Sequence, residues 1–340
     1  MKFWRTGPNP DTKTTLGCSL AGAQSPAARA CGGARAQKTA RTGTTIRSAR
    51  RPTVVRRAIR RFPLFMDYGS ESVRMVSIAT FNVNSVKARL PNLLDWLGTR
   101  SPDVALLQEI KCLDEAFPRA EIEALGYRLA VHGQKAYNGV AILSRLPLSE
   151  VTARLPGLDG APAEDDDQAR YLEAVVDGRF RVCCLYLPNG NPVEEDRKFG
   201  YKLAWMDRLI VRATHLMRDF PDTPVILGGD FNVCPDDLDV YDPAGWANDA
   251  LCRPETRQRF RALVFLGYTD ALRALNPGAP LFTFWDYQAG AWQKDHGLRI
   301  DHLLLNPAAA DRLSAAGVDR ATRGHAKSSD HAPSWVTLEL

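Results

Sequence analysis

Residues suited to holding a cation recur where apolar runs of this chain end or begin. Asn82 follows Ile78-Ala-Thr-Phe81, and Glu109 comes just after Val104-Ala-Leu-Leu107. Asp230 and Asn232 follow Val225-Ile-Leu227. Asp301 interrupts Leu298-Arg-Ile-Asp-His-Leu-Leu, and Asp330-His331 precedes Ser334-Trp-Val-Thr-Leu338. A lone strand-end Asp is usually a cap or turn residue, and a lone Asp-His pair is usually structural. Their recurrence on five segments points instead to one shared site, because open sheets place sites at strand ends. Oxygen donors without a Cys/His cluster suit Mg²⁺ or Mn²⁺ better than zinc. Asp230 and Asn232, two residues apart on an extended strand, should face the same way.

The elements that must position these residues are legible in outline. Val76–Phe81, Asp103–Leu107, Gly139–Leu143 and Pro224–Asp230 read as buried strands. Tyr171–Val176 and Phe180–Leu187 flank Asp177-Gly178, a hairpin signal. Helical spacing marks 86–98, a long helix fits 195–219, and 255–266 is a further helix. Arg299–Leu305 and Ser334–Leu338 read as closing strands. Strands and helices mix without strict alternation, so the expected class is α/β of the α+β type, with layered sheets flanked by helices rather than a barrel.

Composition narrows the function classes. The chain has 340 residues, 45% hydrophobic and 24% charged, as expected for a soluble globular protein. No run approaches the ~18 apolar residues of a membrane span, and no membrane partner is expected. Seven cysteines without a paired framework fit free thiols in a reducing compartment. Residues 1–74 carry 15 Lys+Arg against 3 Asp+Glu, a net +12; the remainder carries 29 against 36, a net −7. Overall basicity therefore says nothing about nucleic-acid binding by the ordered part, and contact with DNA would need a local basic strip. The expected domains are a disordered basic extension over 1–74 and a catalytic domain over 75–340. For the extension three readings compete: a phosphate-gripping tail, an organelle transit peptide, or sequence upstream of a true start at Met66 or Met75. The third is favoured, because a strand begins directly after Met75. The Glu164–Asp167 run reads as a solvated loop.

Six segments occur in a telling order: Phe81-Asn-Val-Asn84, Leu107-Gln-Glu109, Tyr186-Leu-Pro-Asn-Gly190, Gly228-Gly-Asp-Phe-Asn232, Gly297-Leu-Arg-Ile-Asp301 and Ser329-Asp-His-Ala-Pro333. Over roughly 75–340 the chain resembles the exonuclease III family of abasic-site endonucleases, within the endonuclease/exonuclease/phosphatase superfamily. The resemblance implies a four-layered α/β sandwich of two mixed sheets flanked by helices. It implies a divalent-metal-dependent DNA repair nuclease: a 3′→5′ exodeoxyribonuclease and abasic-site endonuclease with 3′-phosphatase or phosphodiesterase activity, serving base excision repair.

The resemblance also implies roles. Glu109 is the principal metal ligand with Asn82 beside it, and Asp330 is a further ligand. Asp230, Asn232 and His331 belong to both the metal and the catalytic sets. Asp230 orients the water and acts as general base, Asn232 holds phosphate or water, and His331 donates to a phosphate oxygen. Asp301 fixes the His331 tautomer. Tyr186 and Asn189 lie near the scissile phosphate and leaving group. Phe284, Trp285 and Leu298 form the pocket for an extruded abasic sugar, although Phe284 and Trp285 also read as core. Trp292 is placed against the duplex, and Arg145, Lys111 and Lys87 on phosphates. Asn84 departs from relatives that carry Asp, giving a less acidic metal shell.

The cofactor expected is Mg²⁺, with Mn²⁺ able to substitute. The partner expected is double-stranded DNA with abasic sites or 3′ ends, met by a monomer in a bacterial cytoplasm at the nucleoid. Organellar targeting is the alternative location. Two functional alternatives stay open: another phosphoesterase of the superfamily, acting on inositol phosphates, sphingomyelin or DNA non-specifically, and a non-catalytic RNA-binding regulator.

Overall fold

The computed structural model describes residues 74–161 and 166–340. The expectations for the N-terminal arm, and for Glu164 and Asp165, lie outside them. Twelve strands are described: β1 Met75–Asn82, β2 Val104–Gln108, β3 Arg128–His132, β4 Val140–Ser144, β5 Leu148–Ala153, β6 Tyr171–Val176, β7 Phe180–Tyr186, β8 Val225–Asp230, β9 Thr269–Asp270, β10 Asp301–Leu305, β11 Leu313–Val318 and β12 Ser334–Glu339. They form two six-stranded sheets, ordered β11-β12-β1-β2-β4-β3 and β5-β6-β7-β8-β10-β9. Each sheet is mixed, with a parallel pair at its centre: β1 with β2, and β7 with β8.

The parallel pairs need crossovers, which the helices Leu90–Arg100 and Asp196–Asp219 supply. Each helix then covers the outer face of its own sheet. Along β1 and β2 the side chains alternate between two cores. Ile78, Val104 and Leu106 face the other sheet, meeting Val182, Ile226 and Leu303. Ala79, Phe81, Ala105 and Leu107 face outward against Leu93, Trp96 and Leu97. Cys183, Leu185, Val225 and Leu227 pack likewise against Trp205, Leu209 and Leu216. Both faces of each central strand are buried, so these strands read as unbroken apolar runs. The result is the four-layered sandwich the motifs implied.

Most expected elements hold with boundary shifts of a few residues. The expected helix over 86–98 begins at Leu90. The hairpin at Asp177-Gly178 has both residues at positive φ, 55° and 66°, as a tight two-residue loop requires. The Gly228-Gly229 pair has a packing cause. A Cβ on Gly228 would lie 2.6 Å from Leu106 Cδ1, and one on Gly229 would lie 1.9 Å from the Leu185 carbonyl oxygen. Close approach of the other sheet at Gly228, and of the neighbouring strand β7 at Gly229, thus requires glycine just before Asp230.

Candidate active site

The topology brings the polar strand ends together. The parallel central strands β1, β2, β7 and β8 all finish at one end of the sandwich, and antiparallel β10 and β12 begin there. Register completes the alignment: Asp230 pairs with Asp301 on one side and Tyr186 on the other. In the other sheet Asn82 pairs with Gln108, next to Glu109. Asp330 and His331 enter from the segment before β12.

Two clusters result, joined by one amide. In the first, His331 Nδ1 lies 2.8 Å from Asp301 Oδ2. Its Nε2 lies 3.9 Å from Asp230 Oδ2, too far for a hydrogen bond. Asp230, Asp301 and His331 are buried and converge closely enough to hold a metal ion. Burial alone would lower the His331 pKa, but Asp301 and then Asp230 outweigh it and raise it to about 10. Burial, reinforced by Asp301 and opposed by His331, raises Asp230 to about 7. The backbone N–H groups of Ile300 and Asp301 donate to Thr283 Oγ1 at 3.1 and 3.2 Å, which fixes the start of β10.

The second cluster centres on Glu109. Its Oε2 accepts from Lys111 Nζ at 2.7 Å and its Oε1 from Asn82 Nδ2 at 2.9 Å. Burial would raise the Glu109 pKa, but Lys111 and Asn82 together pull it below the usual range. Lys111 Nζ also donates to Asn84 Oδ1 at 2.6 Å, and Asn84 Nδ2 to Asp330 Oδ1 at 3.0 Å. Asn82 Nδ2 also reaches Asp230 Oδ2 at 2.9 Å, linking the clusters.

Asn232 arrives by a different route from the one its spacing suggested. The strand ends at Asp230, and Asn232 sits at φ 49°, in the left-handed region. Its backbone N–H donates to Asp230 Oδ1 at 2.8 Å, its Nδ2 to the Leu187 carbonyl at 2.9 Å, and its Oδ1 accepts from Asn189 Nδ2 at 2.9 Å. Glu109 and Lys111 also have positive φ, 52° and 53°. Such conformations in non-glycine residues cost of order 1–3 kcal/mol and collect at functional sites.

The expected substrate residues separate. Phe284 is half-buried and packs edge-on against His331, ring centroids 5.0 Å apart. Leu298 is buried and bridges to Phe284. Trp285 does not line a pocket: it is 0% exposed, its ring against Trp292 and its Nε1 donating to Asp295. Lys111 is held by Glu109 and Asn84 rather than standing free for phosphate. Arg145 lies over the Tyr127 ring, 5.2 Å from its centroid. Trp292 packs on Trp285 and under Arg320 and Arg323.

Two residues escaped the sequence reading. Asn84 was weighed only as a missing acid, yet its amide joins Lys111 to Asp330. Lys202 is fully buried, with Nζ donating to the carbonyls of Asn189 at 3.0 Å and Asn232 at 2.6 Å. No local motif marks it, since its partners are backbone atoms.

The donors fit a hard divalent cation: all but the His331 ring are carboxylate and amide oxygens, and one buried carboxylate oxygen, Asp301 Oδ1, lacks a hydrogen-bond partner. Two sandwiched mixed sheets carrying such a site at one end define a metallohydrolase architecture of known type. The sequence pattern of the Endonuclease/Exonuclease/phosphatase family matches residues 79–331, and the chain belongs to that family. Within it the chain stands with the exonuclease III group. Exodeoxyribonuclease III of Haemophilus influenzae is 34% identical over 272 residues, covering 76% of this chain and 98% of its own. The 3′ phosphatase NExo from Neisseria, solved with a product DNA hairpin, is 38% identical with a TM-score of 0.72, over 78% of this chain and all of its own. An AP endonuclease from Archaeoglobus fulgidus is 33% identical with a TM-score of 0.71, over 78% and 100%.

Proposed function

We propose that this protein is a DNA repair nuclease, a 3′→5′ exodeoxyribonuclease and abasic-site endonuclease with 3′-phosphatase activity. The observation that carries this reading is the Asp301–His331–Asp230 arrangement beside the Asn189–Asn232 amide pair. It sets a base, a cationic donor and neutral amides side by side, the set that hydrolysis of a phosphate ester needs. The similarity to Exodeoxyribonuclease III and to NExo supports DNA as the substrate.

Each residue then has a task. Asp230, raised toward neutrality by burial, takes the proton of the attacking water, since a base works best with a pKa near the working pH. Asn232, held by Asn189 and Leu187, orients that water or a phosphate oxygen. His331, kept protonated by Asp301, donates to a phosphate oxygen as charge develops there. Tyr186, whose phenol burial and then Glu109 push up, stays protonated and faces the leaving oxygen with Asn189. Phe284 and Leu298 wall the space for the sugar. Glu109, Asp330 and the neighbouring amides would hold the metal, together with Asp230, Asn232 and His331; once bound, the cation would neutralise phosphate charge. The metal is Mg²⁺, replaceable by Mn²⁺, because the donors are hard oxygens. The enzyme acts as a monomer on duplex DNA in the cytoplasm, a location the five free cysteines of the described residues support.

The test is incubation with a duplex carrying one abasic site, with Mg²⁺ or with chelator. Incision at the site that chelator abolishes is expected. Binding without cleavage, or preference for inositol phosphates or sphingomyelin, would refute the reading.

A further inference from the structure

The segment that carries Asn232 runs on to Cys234, whose backbone N–H donates to the Leu251 carbonyl at 2.9 Å. That bond sets Cys234 beside Cys252. Both are free thiols, 0% and 4% exposed, in one apolar cluster with Val240, Leu298 and Ile300. A disulfide needs Cα atoms about 4.4–6.8 Å apart, a spacing that backbones sharing a hydrogen bond can reach.

We propose that Cys234 and Cys252 are a reversible dithiol site, closed to a disulfide by a hydroperoxide and coupled to the active-site loops. Access is from one side. Cys252, not Cys234, lines a cleft of about 740 Å³, together with Asp237, Arg257 and Arg261. Arg257 Nε donates to the Cys234 carbonyl at 2.9 Å, so its guanidinium lies next to the pair. Because Cys252 alone of the pair lines the cleft, it is the thiol that meets the peroxide first. Its sulfur bonds to one peroxide oxygen as the O–O bond breaks, and the departing oxygen takes up a proton. Cys234 sulfur then attacks the resulting sulfenic acid. The S–S bond forms, the S–O bond breaks, and the leaving hydroxide collects the Cys234 proton as water. Two thiols lose two electrons, which the peroxide gains; hydrogen peroxide ends as two waters.

The coupling follows from what the two segments hold. Cys234 is two residues from Asn232. On the other side, Asp249 accepts from Asn191 Nδ2 at 3.1 Å, and Ala250 N–H donates to Asn191 Oδ1 at 3.2 Å. The segment 249–252 thus braces the Asn189–Asn191 loop as well. Closing an S–S bond of about 2.05 Å draws the two segments together and shifts Asn232 and Asn189. A displacement near 1 Å at a positioning residue can cost ~10²-fold in rate. The bond itself does not depend on the nuclease reading; only the rate effect rests on it.

The experiment treats the reduced full chain with hydrogen peroxide, blocks free thiols and maps the peptides. The expected product joins Cys234 to Cys252, is reversed by dithiothreitol and is absent from Cys252→Ser. In Cys234→Ser, Cys252 should instead be trapped by dimedone as sulfenic acid. Crosslinks formed through other cysteines, or none while the protein stays folded by circular dichroism, would overturn the site. Single-turnover cleavage of the abasic duplex should fall at least ~10-fold on oxidation and recover on reduction, with Cys234→Ser insensitive to peroxide. A mapped crosslink with unchanged turnover would overturn the coupling. A reduced enzyme inactive on the abasic duplex would sink the nuclease reading instead, leaving the mapped crosslink standing.

Discussion

Asn82 Nδ2 donates to Asp230 Oδ2 at 2.9 Å across the gap between the two sheets. The same nitrogen donates to Glu109 Oε1 at 2.9 Å, so one amide keeps two carboxylates from facing each other unscreened. Asn82→Asp is nearly isosteric but replaces the donor with a third negative charge. We expect a stability loss of ~1–3 kcal/mol from the lost buried bonds, and a collapse of cleavage. Urea unfolding of the metal-free protein measures the first. Equal midpoints for the two proteins would contradict the bridging role.

Asp230, His331 and Asp301 should fail in distinguishable ways. Asp230→Asn keeps the shape and loses the base, with a fall of ~10²–10⁴-fold in single-turnover rate at unchanged DNA affinity. His331→Asn cripples turnover through lost charge stabilisation. Asp301→Asn gives a partial version of the His331 loss, because it acts only through the ring. Full additivity of the last two in the double variant would show that they work independently.

How far the sequence carried the reading depended on burial. The central strands β1, β2, β4, β7, β8 and β10 were legible because covered faces leave continuous apolar runs. Edge strands β3, β5 and β11 were not: in Leu148–Ala153 every residue but the first is exposed, so neither a run nor an alternation survives. The short β9, two residues long, was equally silent. At the site, motif side chains such as Glu109 and His331 were legible as strand-end residues, and the topology brings them to one end of the sandwich. The turn that presents Asn232 was misread, because a left-handed residue after a strand looks like one more strand residue. Lys111 and Lys202 were missed as organisers. A lysine's partner is a three-dimensional fact, and nothing about its type separates a phosphate-facing ammonium from one locked to Glu109.

Glu109 should set the metal requirement. It is the carboxylate at the end of β2, and Lys111 and Asn82 hold it ionised against the cost of burial. Glu109→Gln keeps the volume and removes the charge. Mg²⁺ titration of cleavage should move to higher concentration, and calorimetric binding of Mn²⁺ should weaken. Superimposable titrations would assign the metal elsewhere.

The extension over 1–74 should be dispensable, with a boundary that can be tested closely. Arg74 and Leu340 exchange backbone hydrogen bonds at 2.8 and 2.9 Å, and Arg74 pairs with Asp103 at 2.8 Å. A chain starting at Met66 keeps these contacts and should match the full protein in stability and rate. One starting at Met75 loses them and should unfold at slightly lower urea with an unchanged rate. A large loss of activity from the Met66 form would make the extension integral.

Lys202 should position the site from behind. Its Nζ donates to the Asn189 and Asn232 carbonyls, and the side chains of those two residues bond to each other. Gly190 keeps the fit tight, since a Cβ there would lie 2.7 Å from Lys202 Cδ. Lys202→Met preserves the stem and strands both carbonyls, so kcat should fall while KM for the duplex changes little. Stability carries a second signature. Burial lowers the Lys202 pKa to about 7 from the 10.5 of a free lysine. Between those values the unfolded chain binds the proton and the native one does not, so native stability from this group rises with pH. The contribution is complete above pH 10.5 and lost as pH falls through 7. The stability gap between the wild type and Lys202→Met should therefore widen from pH 7 to pH 10. Urea midpoints of the two proteins, measured in chelator across that range, decide it: a gap constant with pH would mean that the lysine keeps its proton throughout.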